Sequence, residues 1–338
     1  MGATAASGFV DVLDAPASAS PLAERSLLQG IAKVGNRLIA VGQRGHIVVS
    51  DDAGASWKQS AVPVASDLTS VFLVDATNGW AVGHDGVILH TGDGGRTWRL
   101  QLDGRRANAL LVAAMERKVA AESASEEAKA LLAEAKRYRD QGPDKPFLDV
   151  WFADASHGYA VGAYNLIFAT VDGGRSWEPW FDRTDNPKFF NLHAIRPAAG
   201  ELFIAGESGL VLKLDAAAQR FRAVATPYAG SFFGVADAGK AVLVFGLRGN
   251  VWASSDGGAS WTKVDAGLPA AVVAAARTAG GAVLLADAGG RIASSSDDGR
   301  TFAKLALEQT APIAGMADAG AGRLALVGPR GVFMARPR

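Results

Sequence analysis

Short apolar runs alternate with glycine-rich polar breaks along almost the whole chain. In one stretch, "LTSVFLVD", "NGWAVG", "GVILHT" and "WRLQLD" (68–103) follow one another as four such runs. Their β-branched and aromatic residues fit four successive strands, A to D. The break between B and C is a "GxxG" turn, where glycine supplies backbone angles that other residues resist. The break between C and D gathers acid, hydroxyl and glycine residues in "TGDGGRTW" (91–98). The first-glycine position of the B–C turn recurs at 42, 83, 162, 206, 246, 287 and 328, at intervals of 41, 79, 44, 40, 41 and 41. Counting the long interval as one repeat plus an insertion gives seven repeats, each the length of a four-stranded propeller blade. The sequence therefore predicts an all-β, seven-bladed β-propeller.

Residues 104–146 interrupt the repeat between blades two and three. "RANALLVAAMERKVAA" (106–121) and "SEEAKALLAEAKRYR" (125–139) are rich in helix formers and predict an α-helical hairpin. "SASE" (123–126) reads as a capping box for the second helix, and "QGPDKP" (141–146) ends it. Leu110, Leu111, Ala114 and Met115 of the first helix, with Leu131, Leu132, Ala135 and Tyr138 of the second, form an apolar face for packing. The seventh repeat stops after strand C, at "GVFMARPR" (331–338), while "FVDVLDAP" (9–16) precedes the first repeat. Phe9 aligns with Trp57, so residues 9–14 are expected to supply strand D of the last blade and close one domain over 9–335.

The C–D cluster recurs as "SDDAGASW" (50–57), "TGDGGRTW" (91–98), "TVDGGRSW" (170–177), "SSDGGASW" (254–261) and "SSDDGRTF" (295–302). Asp52, Asp93, Asp172, Asp256 and Asp297 could serve a cation or catalysis, or they could hold turns. A helix-flanked Ca²⁺ loop needs further oxygen ligands and a distal Glu, and none follows. Turn amides and hydroxyls satisfy an Asp at this spacing. Trp57, Trp98, Trp177, Trp261 and Phe302 then bring apolar area to the gaps between blades.

Composition narrows the function. Lys plus Arg number 34 and Asp plus Glu 34, which gives no basic face for nucleic acid. The chain has no cysteine, so thiol chemistry and cysteine metal sites are excluded. The five histidines show no metal spacing, and neither a metal nor a cofactor is expected. Apolar runs such as Ala270–Ala276 are far too short to span a bilayer. "MGATAASGFVDV" lacks a basic and an apolar leader region, leaving a cytosolic protein or one whose signal peptide has been removed.

The repeated cluster matches the Asp-box (bacterial neuraminidase) repeat, S/T-x-D-x-G-x-T/S-W/F, with the fourth copy eroded to "KLDAAAQRF" (213–221). A sialidase resemblance would imply a Tyr–Glu nucleophile pair, an Asp acid/base and an arginine triad. Tyr138, Tyr159, Tyr164 and Tyr228 have no evident Glu partner, and no facing carboxylate pair stands out. A glycoside hydrolase or glycan-binding propeller is therefore the alternative reading, and no enzyme activity is expected. The tandem units, such as "AVGHDGVILHTGDGGRTW" (81–98), with "NGWAVG" and "HGYAVG", resemble the photosystem II assembly/stability factor family and its non-photosynthetic bacterial relatives. That resemblance implies a non-enzymatic propeller outside the cytosol. It would be periplasmic, with its signal peptide removed, monomeric alone, and would assist a membrane-protein complex or a transporter through a surface that includes an arginine patch.

Alternating strands place the B–C turns and D–A connections on one face and the Asp boxes on the other. Arg44, Arg248 and Arg330 occupy B–C turns; Arg183 and Lys188 lie in or beside the D–A loop 182–190; Arg117 and Lys118 lie on the inserted hairpin. These residues form the expected partner-binding face, since arginine suits carboxylate recognition and interface anchoring. Phe189 and Phe190 are expected to be either strand-A core or partner contacts.

Overall fold

The computed structural model describes residues 10–308 and 310–337. Seven antiparallel sheets follow one another along the chain, six of four strands and the last of three. Blade two illustrates the layout, with A at Leu68–Leu73, B at Gly79–Gly83, C at Ile88–Thr91 and D at Arg99–Leu102. The A strands line the axis and touch their neighbours all the way round, including blade seven's Gly315–Gly320 against blade one's Leu28–Val34. This is a seven-bladed β-propeller carrying an inserted helical hairpin.

Apolar clusters fill the seams between blades, and the box aromatics plug them. Trp98 joins Ile39, Val49 and Val71 between blades one and two, and Trp177 joins Trp80 and Phe152 between two and three. Trp261 packs with Phe203 and Val244, Phe302 with Leu243 and Leu285, and Trp57 with Leu38 and Ala325 across the closing seam. A propeller thus buries side chains on both faces of each sheet, which is why its strands read as short continuous apolar runs.

The B–C glycines correct one expectation. The first glycine does not need an unusual angle: Gly42, Gly83 and Gly162 are extended, with φ of −173°, −175° and −165°. Space is what they provide. A Cβ on Gly42, Gly83 or Gly162 would lie 2.1, 2.1 or 2.2 Å from the carbonyl of Leu27, Asp67 or Pro146, just before strand A. Each carbonyl is drawn there by the amide following the glycine, at 3.0, 2.8 and 3.0 Å from Gln43, His84 and Ala163. Only the second glycine, such as Gly45 at φ 71°, uses left-handed freedom. Blade six keeps the hydrogen bond (Ala288 N to Ala271 O, 2.8 Å) but has Asp287 at the first position, fully buried and accepting from the Arg291 amide at 2.9 Å.

The N-terminal segment also departs from expectation. Phe9 lies outside the described residues, and Val12–Asp14 form a turn, not a strand of blade seven. The segment runs beside the outer edge of blade one instead. Ala65 N donates to Val12 O at 2.8 Å, Ala17 N to Val62 O at 3.0 Å, and Ser20 N to Gln59 Oε1 at 2.8 Å. Leu13, 5 % exposed, enters the seam between blades one and two. Burying that side chain stabilises by about 1.5–3 kcal/mol. Asp11 and Asp14 pair with Arg105 at 3.2 and 2.9 Å.

The insertion forms helices α1 (Gly104–Ala121) and α2 (Glu126–Gln141). Asp103 caps α1 by accepting from Arg106 N at 2.9 Å. The cap of α2 is Ser125, two residues later than the expected Ser123, and it accepts from Ala128 N at 3.1 Å. Position N3 is therefore Ala128, so no capping box forms.

Candidate protein-binding face

The B–C turns and D–A connections share one face, as hydrogen bonds across them show. Asp67, in the connection from blade one to blade two, accepts the Arg44 amide on Oδ1 at 2.7 Å and the His84 amide on its carbonyl at 2.8 Å. The middle residue of the turn is left-handed in five blades, occupied by Arg44, Asp85, Tyr164, Ser208 and Arg248 at φ between 52° and 57°. Because residues so different share one angle, the turn itself imposes it. Gly or Asn would suit that angle better than Arg. Arg44 and Arg248 are exposed there, as is Arg330 in blade seven, and among the described residues none of the three forms an ion pair. Arg330 and Arg44 stand on neighbouring blades, and Arg248 stands two blades from Arg330.

The hairpin covers a different sector. Leu111, Val112, Met115, Leu131, Ala135 and Tyr138 pack together and against Phe181 of blade three. Leu110 turns instead toward the seam between blades two and three. Phe189 is half-buried beneath the hairpin and stacks on Phe181 at 5.2 Å, so it is neither strand-A core nor a free contact. Tyr138 donates its hydroxyl to Tyr164 O at 2.8 Å, linking α2 to the blade-three turn, and burial pushes its phenol well above the usual range. Lys145, 5 % exposed, sits 4.7 Å over the Tyr138 ring and pairs with Asp144 at 2.7 Å.

The remaining basic residues divide. Lys118 is committed to structure, bridging Asp182 at 3.1 Å and Glu122 at 3.2 Å and so tying α1 to the loop 182–190. Arg183 leaves the face: it lies 4.9 Å over the Trp180 ring and pairs with Glu178 at 2.7 Å, on the outer side of blade three. Arg117 and Lys188 remain exposed, Lys188 above the Phe190 ring at 5.6 Å. The structure thus joins the hairpin, Lys118 and the 182–190 loop, while Arg44, Arg248 and Arg330 stand on other blades.

Sequence reasoning missed a polar knot at the propeller axis. Asp149, 4 % exposed, accepts from Ser70 Oγ at 2.7 Å, Ile195 N at 2.9 Å and Arg196 at 2.6 Å, joining blades two, three and four. It borders a central cavity of about 190 Å³. The signal was an acid in the middle of an otherwise apolar strand A, "FLDVWF" (147–152). Nearby His193 donates from Nδ1 to Phe232 O at 2.7 Å, and burial holds its pKa below the ordinary histidine value.

The Asp boxes lie on the opposite face and have one wiring. In the second box Thr91 Oγ1 donates to Asp93 Oδ1 at 2.8 Å, Thr97 N donates to the same oxygen at 3.0 Å, and Thr97 Oγ1 donates to Oδ2 at 2.7 Å. The amide of Gly95 donates in turn to Thr91 Oγ1 at 2.8 Å. Asp52, Asp172, Asp256 and Asp297 repeat the pattern with Ser56, Ser176, Ser260 and Thr301. Both carboxylate oxygens serve the turn that carries them. Burial alone would raise Asp93 and Asp172, but the bonds from Thr97 and Ser176 outweigh it and hold both at about 2. Hydrogen bonds from Ser260 hold Asp256 at about 2, and those from Ser56 and Thr301 lower Asp52 and Asp297.

Because these folded-state values lie below the unfolded value near 3.8, the stability they contribute is present above about pH 4 and lost as pH falls toward 2. The melting temperature is therefore expected to hold from pH 7 to 5 and drop steeply between pH 4 and 2. Asp93→Asn, which cannot titrate, should melt lower at pH 7 yet show a shallower acid drop. Parallel pH curves for the two proteins would refute this role.

The family model described as "Photosynthesis system II assembly factor YCF48" matches residues 32–131 and 138–227. The photosystem II assembly lipoprotein Ycf48 of Synechococcus sp. (strain CC9902) is 32% identical over 121 residues, 34% of this chain and 35% of that one. The chloroplastic photosystem II stability/assembly factor HCF136 of Cyanidioschyzon merolae (strain NIES-3377 / 10D) is 36% identical over 83 residues, 23% of this chain and 19% of that one. The matched stretches thus span about a third and a fifth of these curated relatives. Among solved structures, one described as YCF48 bound to D1 peptide superposes with a TM-score of 0.65 at 14% identity, over 93% of this chain and 94% of that one. YCF48 from Cyanidioschyzon merolae gives 0.64 at 17% identity, over 94% and 97%. A streptogramin B lyase gives 0.69 at 11% identity, over 93% and 95%, so fold likeness at this identity does not separate binder from enzyme. The family match covers more than half of the chain and agrees with the seven-bladed ring, and the chain belongs to the photosystem II assembly factor Ycf48 family.

Proposed function

We propose that this chain is a non-enzymatic, exported protein-binding propeller that assists assembly or function of a membrane-protein complex, such as a transporter, in a non-photosynthetic bacterium. It acts as a monomer in the periplasm and engages its partner through the B–C face, with Arg44, Arg248 and Arg330 as anchors and Lys188 and Arg117 as further contacts. One observation carries the reading: Arg44 and Arg248 occupy exposed turn positions whose left-handed backbone favours Gly or Asn, and neither they nor Arg330 has an ion-pair partner among the described residues. A strained residue retained without a local contact indicates a role outside the fold. The relative described as bound to a D1 peptide supports a polypeptide ligand, and the relative named a lipoprotein supports export. No helix among the described residues is long and apolar enough to cross a membrane, so contact with such a complex would come from the propeller's surface.

The test is recovery of partners from detergent-solubilised membranes of the source bacterium. Arg44→Glu/Arg248→Glu/Arg330→Glu should lose a partner that the wild type retains. Arg44→Gly/Arg248→Gly should also weaken recovery while leaving folding stability within about 1 kcal/mol, since the left-handed angle is relieved as unfolded-state entropy rises. Unchanged recovery by both variants would remove this face from the proposal. Turnover of a sialoside would instead favour the glycoside-hydrolase alternative.

A further inference from the structure

In blades one to six the ladder between strands A and B skips one residue near the start of strand A: Gln29, Thr69, Leu148, His193, Phe233 and Val273. A bulge takes its residue out of the ladder and re-aims the side chain. All six are half-buried and line the central cavity of about 190 Å³. Side chains this different share one backbone feature, so the fold requires the bulge and leaves the choice of side chain to the cavity. The wall they form is two-sided. Every polar side chain lining it belongs to blades one to four, whereas blades five to seven present only glycine and apolar residues, with Phe233, Val273 and Met316 the bulkiest near the axis. The His193 and Phe233 rings, 5.4 Å apart, mark the border between the two sectors.

Hydrogen bonding defines what the polar sector offers. Arg196 makes its bonds through Nη1, to Asp149 Oδ2 at 2.6 Å, Ile195 O at 2.7 Å and Val150 O at 3.2 Å. Its Nε and Nη2 donate to no group among the described residues. His193 donates from Nδ1 to Phe232 O, and burial disfavours its charged form, so Nε2 is left as an acceptor. Charge then separates the ligands. Asp149 neutralises Arg196, and no other carboxylate, lysine or arginine lines the cavity. A carboxylate would meet no net positive charge and has no proton to give Nε2. A primary carboxamide is neutral, accepts on its oxygen and donates from its nitrogen. Size sets the rest of the molecule. A cavity of about 150 Å³ holds benzene, and drug-sized ligands take roughly 300 Å³ or more. We infer that the axial cavity is a binding site for a small primary carboxamide on a compact apolar body. Arg196 holds the amide oxygen, His193 Nε2 accepts from the amide nitrogen, and the body lies against Phe233, Val273 and Met316.

The probe is benzamide titrated into the full chain, with benzoate and benzene as matched controls. The ¹⁵N resonance of His193 Nε2 should shift as benzamide saturates, and benzamide should bind at least tenfold tighter than either control. Val273→Phe gives blade six the ring that blade five already carries at the same bulge, so the variant should fold. By filling the apolar sector it should weaken benzamide at least tenfold. His193→Phe should weaken benzamide to a similar degree and leave benzene unchanged. The Arg44/Arg248/Arg330→Glu variant should bind benzamide as wild type does, which separates this site from the proposed B–C anchors. Three results would overturn the inference: benzoate binding as tightly as benzamide, benzamide binding untouched by Val273→Phe, or a His193 resonance that stays fixed up to the solubility limit of benzamide.

Discussion

Trp98→Ala is expected to destabilise the protein by about 3–5 kcal/mol, the range for deleting a large buried aromatic. Trp98 is 4 % exposed in the seam between blades one and two, against Ile39, Val49 and Val71, and its indole donates to Gly95 O at 3.1 Å. The substitution removes seam filling, and the same turn loses the donor to its own carbonyl. Trp98→Phe should recover most of the loss, because the apolar area matters more than one hydrogen bond worth about 1 kcal/mol. Urea unfolding followed by far-ultraviolet circular dichroism measures both variants. A midpoint for Trp98→Ala close to wild type would mean that the box aromatics do not hold the blades together.

Gly83→Ala is expected to cost about 1–3 kcal/mol or more, as overpacking of a tight contact does. The added methyl would meet Asp67 O at 2.1 Å, and that carbonyl is held in place by His84 N at 2.8 Å. Glycine accompanies the same hydrogen bond in blades one, three, four and five, whereas blade six keeps it beside Asp287. Gly92→Ala is the matched control, since a Cβ there meets only His90 Cε1 at 3.7 Å and the backbone is not left-handed. If both alanine variants melt alike, the first B–C glycine is kept for some reason other than space. The helix-favouring effect of alanine is irrelevant at either position, which makes the pair a clean comparison.

The face opposite the boxes was legible in part. Alternation of strand direction is fixed by hairpin connections, so the side of the ring on which Arg44, Arg248 and Arg330 stand follows from their places in the repeat. The fate of individual charges does not. Lys118 and Arg183 look as available in the sequence as Arg117, yet Asp182 lies 3.1 Å from one and Glu178 lies 2.7 Å from the other. Both partners are acids brought near by the way blade three's outer strand bends into its connection, and nothing in a linear reading marks that bend. Asp149 shows the converse. It was conspicuous as an acid inside a strand, but only the ring brings Ser70 and Arg196 to it from two other blades.

The sequence by itself determined the number of blades, their strand order, the turn wiring of the Asp boxes and the presence of a helical hairpin. These are local properties, set by hydrophobic periodicity, glycine placement and hydrogen bonds spanning two to four residues within one turn. Tertiary structure alone decided where the described N-terminal segment lies and which basic residues find acidic partners. Each of those outcomes is a competition between distant partners. Leu13 found a seam between blades one and two, and Arg105 held Asp11 and Asp14 there.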